Sequence, residues 1–398
     1  MNRVSIRFDS PTHADWCCAV THATETIVCD ADTGVAQRYV SGQQLQSWDD
    51  PFEAFDWMAQ DVDDERAKTR GHQRWAGYIS YDLGRLVEQI PTAARDDLNL
   101  PLFAFAKVPQ QQAPNVAMPA SPSQSSAIAN FSQKQYEAAV QRVIDYIAAG
   151  DVYQVNLSQR LAVNTTERAA DVYARLLHDA PAEYGAFLDF GAFQIISNSP
   201  ELFFKVERTP GGRRSIVSRP IKGTRPLGKG MRDQLLHSQK DAAELAMIVD
   251  LQRNDLGRVC EIGSVRVTEP RAVEQHPTIY HGVATIEGLL RTDVRPSDIL
   301  RAVFPCGSVT GCPKIRAMQI IEALEPVRRG AYCGAIGYIG GDGSMQFNVA
   351  IRTITTKDAV AYVPVGGGIV ADSTPAAEYE ETIVKARAML AALGASLG

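Results

Sequence analysis

The sequence predicts an α+β protein with largely antiparallel sheets. Three observations carry this. Residues 1–107 read as short strands and turns in a run. Helices interrupt later strand runs without the strict strand–helix–strand alternation of a parallel sheet. Asp342-Gly343 stands between two strand-like segments, a hairpin signal.

The elements follow in order. Trp75–Asp82 reads as a buried strand and a turn. Residues 108–129 are rich in Pro, Gln, Ser and Ala and read as a loop or linker, separating an N-terminal portion, 1–107, from a main region, 130–398. A helix starts at Ser132, with Gln135 completing a capping box and Phe131 stapling onto Tyr136. Tyr136, Val140, Val143, Ile144 and Ile147 form its apolar stripe, and Gly150 ends it. Tyr153–Val163 reads as a strand, and Ala186–Ser197 as a strand pair. One long helix is expected over Gly230–Leu256. Another follows Pro313, with Ile315, Met318, Ile321 and Leu324. Strands follow at Cys333–Ile339, Gln346–Thr356 and Ala359–Val365. A last helix begins near Pro375, with Thr374 as N-cap.

At 398 residues the chain has room for roughly two to three average domains or one large one. A net charge of -6 argues against a nucleic-acid-binding face. The seven cysteines include no C-x-x-C, so neither a zinc site nor a disulfide framework is expected. With no signal peptide or transmembrane segment visible, the expectation is a cytoplasmic protein that engages no membrane.

Lys222 is the most informative residue. It lies in Ser218-Arg219-Pro220-Ile221-Lys222-Gly223-Thr224-Arg225-Pro226, where two prolines exclude helix and suggest a stiff, turn-like segment. Arg219 and Arg225 are close. Cationic neighbours and burial both lower a lysine pKa, and only the neutral amine is a nucleophile. A lone lysine is more often an ordinary surface group.

Two acidic pairs come next. Asp241 and Glu244 share a helix face at i,i+3, and Glu378 and Glu381 repeat the spacing near the start of the last helix. One pair alone usually marks a solvated face. Two pairs that converge need a cation, and oxygen-only ligands favour a hard ion such as Mg²⁺. Glycine-rich turns occur at Cys306–Lys314, which contains Ser308, and at Gly366-Gly367-Gly368. Either alone is an ordinary turn; the first leads into a helix and could bind an anion. Tyr332 and Arg352 lie near, and arginine suits bidentate capture of a carboxylate. Glu201 follows a strand end as a candidate acid. His281 opens an apolar stretch, where a histidine is more often structural.

Five segments together carry a resemblance. Asp151–Leu157, Pro220–Pro226, Ile248–Arg258, Gly307–Met318 and Gly366–Thr382 resemble the chorismate-utilising enzyme family, in that family's order, over residues 131–392. The resemblance implies one α+β unit. Two large, mostly antiparallel sheets form a sandwich with helices outside and the active site in a cleft between them. Residues 130–398 would be the chorismate-binding catalytic region.

Relatives that add water carry a lysine base where this chain has Gln154. The aminodeoxychorismate synthase branch, component I, resembles this chain in having lysine at Lys222; the anthranilate branch usually has alanine there. The resemblance implies Lys222 as nucleophile, Glu201 as acid and His281 as a further catalytic residue near the ring, with Ser308 and Thr224 binding substrate. It implies Tyr332, Arg352 and the backbone of Gly366, Gly367 and Gly368 as the enolpyruvyl-carboxylate site. Glu244 and Glu381 would ligate Mg²⁺, with Asp241 and Glu378 in support. The substrates would be chorismate and ammonia, with ammonia from a separate glutamine amidotransferase subunit, because no glutaminase or lyase domain fits in this length. The alternatives are an anthranilate synthase component I and a non-catalytic amidotransferase-docking subunit. The signature that binds regulatory tryptophan in relatives is not found.

Overall fold

Two large β-sheets organise the chain in a computed structural model describing residues 4–69, 73–110, 116–276 and 279–397. The first sheet has ten strands. Its main path runs Cys18–Val20, Ser5–Asp9, Tyr184–Asp189, Gln194–Ser199, Thr353–Lys357, Val360–Ile369, Gln154–Asn164, Ser125–Ala129 and Ala395–Leu397. The second has twelve. Its path runs Ile221–Pro226, Ile279–Leu289, Arg214–Arg219, Leu202–Arg208, Met345–Val349, Ala335–Gly340, Gln73–Ile79, Phe103–Pro109, Glu25–Cys29, Ala36–Val40 and Gln43–Trp48. Strand pairing is antiparallel throughout the described sheets except between Ala395–Leu397 and Ser125–Ala127. The N-terminal portion is not a separate body. Ser5–Asp9 joins the first sheet beside Tyr184–Asp189, and Gln73–Ile79 joins the second beside Ala335–Gly340.

The sheets pack face to face. Ile6, Phe8, Ala186, Leu188 and Ile195 of one meet Tyr78, Ala104, Ala106, Ile336 and Tyr338 of the other. Helices Ala169–Asp179 and Pro375–Ala392 cover the far side of the first sheet. Helices Glu53–Thr69, Gln239–Gly257 and Pro296–Val303 cover the far side of the second. A fully buried residue such as Phe105 contributes about 2–3 kcal/mol by leaving water. Helices Gln133–Ala148 and Lys314–Leu324 pack near the start of Gln154–Asn164. The first begins with the expected capping box at Ser132, and Phe131 meets Tyr136 edge-on at 5.9 Å.

Four expectations are corrected. Residues 108–129 are not wholly a linker: Phe103–Pro109 and Ser125–Ala129 are strands. The helix over 230–256 is two, Met231–His237 and Gln239–Gly257. Ser238 leaves the helix and accepts a hydrogen bond from the Asp241 amide, capping the second. The strand over 346–356 is also two, because Met345–Val349 lies in the second sheet and Thr353–Lys357 in the first. Finally, Lys222 lies in an edge strand, Ile221–Pro226, rather than a turn. Its pairing with Ile279–Leu289 slips between Ile221 and Thr224, and bulged edge strands tolerate proline.

Candidate active site

The chain crosses between the sheets at two adjacent places, and each carries a predicted residue. Gln194–Ser199 ends in the first sheet and Leu202–Arg208 begins in the second; Glu201 occupies the crossing. Arg352 occupies the return crossing. The Ser199 hydroxyl donates to the Val349 carbonyl at 2.6 Å. The Val349 amide donates to the Glu201 carbonyl at 3.0 Å, and the Asn198 amide to the Arg352 carbonyl at 3.0 Å. Two chain reversals thus brace each other. Arg352 has φ +49°, the left-handed region that a branched or long side chain seldom adopts. Its guanidinium has no ion pair or hydrogen bond among the described residues, and burial lowers its pKa. An unpaired buried cation is suited to an anionic ligand.

Burial pushes the Glu201 carboxyl up to about 7, while Ser308 and Lys222 pull it back. Its Oε1 is buried without a partner. This carboxyl can hold a proton near neutrality and release it. Ser308, also buried, sits with its hydroxyl 3.2 Å from the Cys306 sulfur.

Lys222 forms no direct ion pair or hydrogen bond among the described residues. Part of its side chain is exposed, but dense protein surrounds the amine. Burial lowers its pKa, Glu244 opposes that, and Lys385 adds to it. The expected contribution of Arg219 and Arg225 is absent from these causes. Arg219 is paired with Glu274, and Arg225 with Asp241 at 2.9 Å, so their charge is already balanced.

Gly223 beside Lys222 has φ +82°, and a Cβ there would lie 2.9 Å from the Asp241 carboxyl carbon. Only glycine lets this bulge approach the acidic helix. Behind it, His281 is buried. Its Nδ1 is 2.9 Å from the Thr224 hydroxyl, and burial drives its pKa down to about 3. It is therefore a neutral imidazole near pH 7. Thr224 itself is exposed and positions His281.

The acidic pairs lie on helices near Lys222, whose charge Glu244 and Glu381 both feel. Burial raises the pKa of Glu244, and both Asp241 and Glu381 add to that rise, so the two helices do approach. Burial also raises Glu378, although Ser373 donates to it at 2.6 Å. Its Oε2 has no hydrogen-bond partner among the described residues, and a Cβ on Gly367 would lie 3.0 Å from that oxygen. Burial would raise Glu381 too, but Lys385 at 2.7 Å outweighs it and the net shift is downward. Lys240 stands 4.0 Å from Glu244. Among the described residues no group of three or more His, Cys, Asp or Glu side chains is gathered closely enough to hold a metal alone. The donor set nevertheless fits a hard cation that also takes substrate oxygens, with an orphaned carboxylate oxygen at hand.

Gly366, Gly367 and Gly368 lie in Val360–Ile369, opposite Ser158, Leu157 and Asn156. Gln154 is fully buried, and neither its amide oxygen nor its nitrogen has a hydrogen-bond partner among the described residues. Its nitrogen is 2.9 Å from where a Gly368 Cβ would be. Two lone pairs and two N–H groups are thus held beside the glycine strand. Tyr332 is buried on the loop before Ala335–Gly340. Lys240 and Lys385 were missed by sequence reasoning. Each is four residues from a predicted carboxylate on the same helix, and that spacing was the available signal.

A sequence profile described as chorismate binding enzyme matches residues 8–391. The chain belongs to the chorismate-binding enzyme family. The family's fold matches the two-sheet α+β architecture described above. Among curated proteins, this family member is 40% identical to anthranilate synthase component 1 of Thermus thermophilus, over 80% of this chain and 76% of that one. It is 35% identical to aminodeoxychorismate synthase component 1 of Escherichia coli, over 96% of this chain and 89% of that one. Other matched relatives are longer, and the chain spans 54% of their length. A crystal structure of anthranilate synthase component I from Streptococcus pneumoniae superposes with a TM-score of 0.81, at 30% identity, covering 97% of this chain and 92% of that one. No helix among the described residues is long and apolar enough to cross a membrane.

Proposed function

We propose that this chorismate-binding enzyme is an aminodeoxychorismate synthase component I, converting chorismate and ammonia to 4-amino-4-deoxychorismate. The observation that carries the reading is Lys222: an amine of lowered pKa, without a direct ion pair, beside a carboxyl titrating near 7. In this reading the neutral Lys222 amine attacks C2 of the ring. The double bonds shift, the C4–oxygen bond breaks, and Glu201 gives its proton so that water leaves. Ammonia then bonds to C4, the double bonds shift back, the C2–nitrogen bond breaks, and Lys222 is regenerated.

Arg352 and Tyr332, with backbone near Gly368, would hold the enolpyruvyl carboxylate. Ser308 and the Thr224–His281 pair would line the ring. The neutral amide of Gln154 supports amination over hydration, because it is too weak a base to activate water. Glu244 and Glu381 would hold Mg²⁺ directly, with Asp241 and Glu378 in support. When bound, the ion supplies positive charge toward the ring carboxylate. Ammonia would come from a separate glutamine amidotransferase subunit.

The second reading is anthranilate synthase component I. The identity figures favour it, since 40% and 44% matches carry that name. Incubating the chain with chorismate, ammonia and Mg²⁺ separates the two. A stable aminodeoxy product supports the first reading. Fluorescent anthranilate with released pyruvate overturns it in favour of the second. Failure to consume chorismate with any nitrogen source would leave only a docking role.

A further inference from the structure

Behind the glycine strand lies a buried ion pair whose charged groups hydrogen-bond, among the described residues, to no predicted site residue. Arg329 and Glu325 are one helical turn apart in sequence, and their side chains are 2% and 4% exposed. The guanidinium donates twice to the carboxylate, at 2.9 and 2.6 Å. Its remaining N–H groups reach outward to backbone: one to the Val309 carbonyl at 2.9 Å, another to the Asn156 carbonyl at 2.7 Å. Glu325 accepts from the Ser158 amide and hydroxyl, both at 2.9 Å. The pair is thus tied to two separate segments, the Ser308 loop and strand Gln154–Asn164.

Those segments are also tied to each other at the site. The Asn156 side chain donates to the Ser308 carbonyl at 3.0 Å, and the Asn156 amide to the Thr310 carbonyl at 2.8 Å. Asn156 and Ser158 pair with Gly368 and Gly366. The Arg329 carbonyl accepts from the Tyr332 amide at 3.3 Å, and its guanidinium lies 4.7 Å over the Tyr81 ring. A buried ion pair is weak evidence for stability, since an apolar pair of the same volume often does as well. What an apolar pair cannot supply is a set of directed bonds to Val309, Asn156 and Ser158.

We propose that Glu325 and Arg329 are positioning residues for catalysis, locking the Ser308 loop and strand 154–158 in register so that Ser308 meets Glu201 and the glycine strand keeps its place. Neither touches substrate. Both act through Ser308 and the backbone of Asn156. This role rests on the assignment of Glu201 and Ser308 to the chorismate site.

The test uses the full chain with chorismate, ammonia and Mg²⁺. Glu325→Gln and Arg329→Lys are compared with Ser158→Ala, which removes only one hydroxyl bond and keeps a folded variant in hand. Folding is checked by circular dichroism and thermal melting. The expected result is a fall in kcat of about 100-fold for Glu325→Gln, with KM moved less than about threefold, because misplacement by about 1 Å costs that much in rate. Ser158→Ala should lower kcat by a smaller factor at unchanged melting temperature.

A double-mutant cycle of Glu325→Gln or Ser158→Ala with Ser308→Ala should be markedly less than additive, since both act through one hydroxyl. Folded variants with wild-type kcat, or fully additive losses, would overturn the role. If wild-type chain fails to consume chorismate, the functional reading fails first, and that outcome is distinct from either.

Discussion

The candidate site has two unlike walls. The sheet wall carries Glu201, Lys222, His281 and Arg352, and burial moves each one's pKa against its charged form. The helix wall carries Asp241, Glu244, Glu378 and Glu381. There protein groups already stand beside the carboxylates: Arg225 at Asp241, Lys240 4.0 Å from Glu244, the Ser373 hydroxyl at Glu378 and Lys385 at Glu381. The first wall pays in desolvation for reactive protonation states. The second is desolvated too, at Glu244 and Glu378, but it sets a hydrogen-bonding or cationic side chain beside each carboxylate. The difference teaches that burial of single groups shapes one wall, whereas side-chain partners beside each carboxylate shape the other.

The largest effect should come from breaking the sheet wall at Lys222, the proposed nucleophile. Lys222→Arg keeps the charge but never deprotonates, so it should fail as badly as Lys222→Ala, with kcat down at least about 1,000-fold. Intact-protein mass spectrometry of wild type given chorismate without ammonia should show an adduct. An active arginine variant together with no trapped mass would reduce Lys222 to an anion-binding residue.

Next comes the helix wall. Glu244→Gln or Glu381→Gln should lower turnover about 100-fold with little change in melting temperature, and excess EDTA should stop the wild type. Full turnover in EDTA would remove the metal from the comparison. Glu201→Gln sharpens it in a different way. Activity that needs protonated Glu201 should fall as pH rises through about 7. The glutamine variant should lose that limb along with most of its rate.

The same substitution should also stabilise the fold at pH 8. Folded Glu201 holds its proton more tightly than the unfolded chain, so this group withdraws stability as pH rises from 4.5 toward about 7, and the full cost stands above that. The gain should be of order 1–3 kcal/mol by urea denaturation at pH 8 and vanish near pH 4. Equal stability of both proteins at pH 8 would mean the carboxyl is not strained there.

The smallest effect is expected at Lys385→Met. Its pair with Glu381 is half exposed, so the stability change should stay within about 1 kcal/mol. Removing its charge should let the Lys222 pKa rise, because Lys385 is one cause of its depression. The rise of activity with pH, which follows loss of the Lys222 proton, should shift to higher pH; an unmoved rise would separate the two walls electrically.

Much of this was legible in sequence for local reasons. The capping box at Ser132, the hairpin at Asp342-Gly343 and the i,i+3 carboxylates are set by neighbours within a turn or two. The residue types of the site were legible too, through motifs near Lys222, Ser308 and Gly366–Gly368. The breaks at Ser238 and at residues 350–352 were not, because neither stretch carries a proline or glycine to mark the end of an element. A strand that changes sheets keeps its alternating pattern while its partners change.

The sequence by itself determined the fold class, the family's motifs and which side chains could do chemistry. Only the tertiary structure decided their state. Sheet crossings bury Glu201 and leave Arg352 unpaired; ion pairs from distant elements neutralise Arg219 and Arg225; and packing assembles Glu325, Arg329, Ser158 and Asn156 behind the Ser308 loop. Desolvation and hydrogen-bond direction depend on what lies within a few ångströms in space. Residues 150 or more positions apart supply much of that here, as Asn156 does to Ser308 and Ser158 to Glu325.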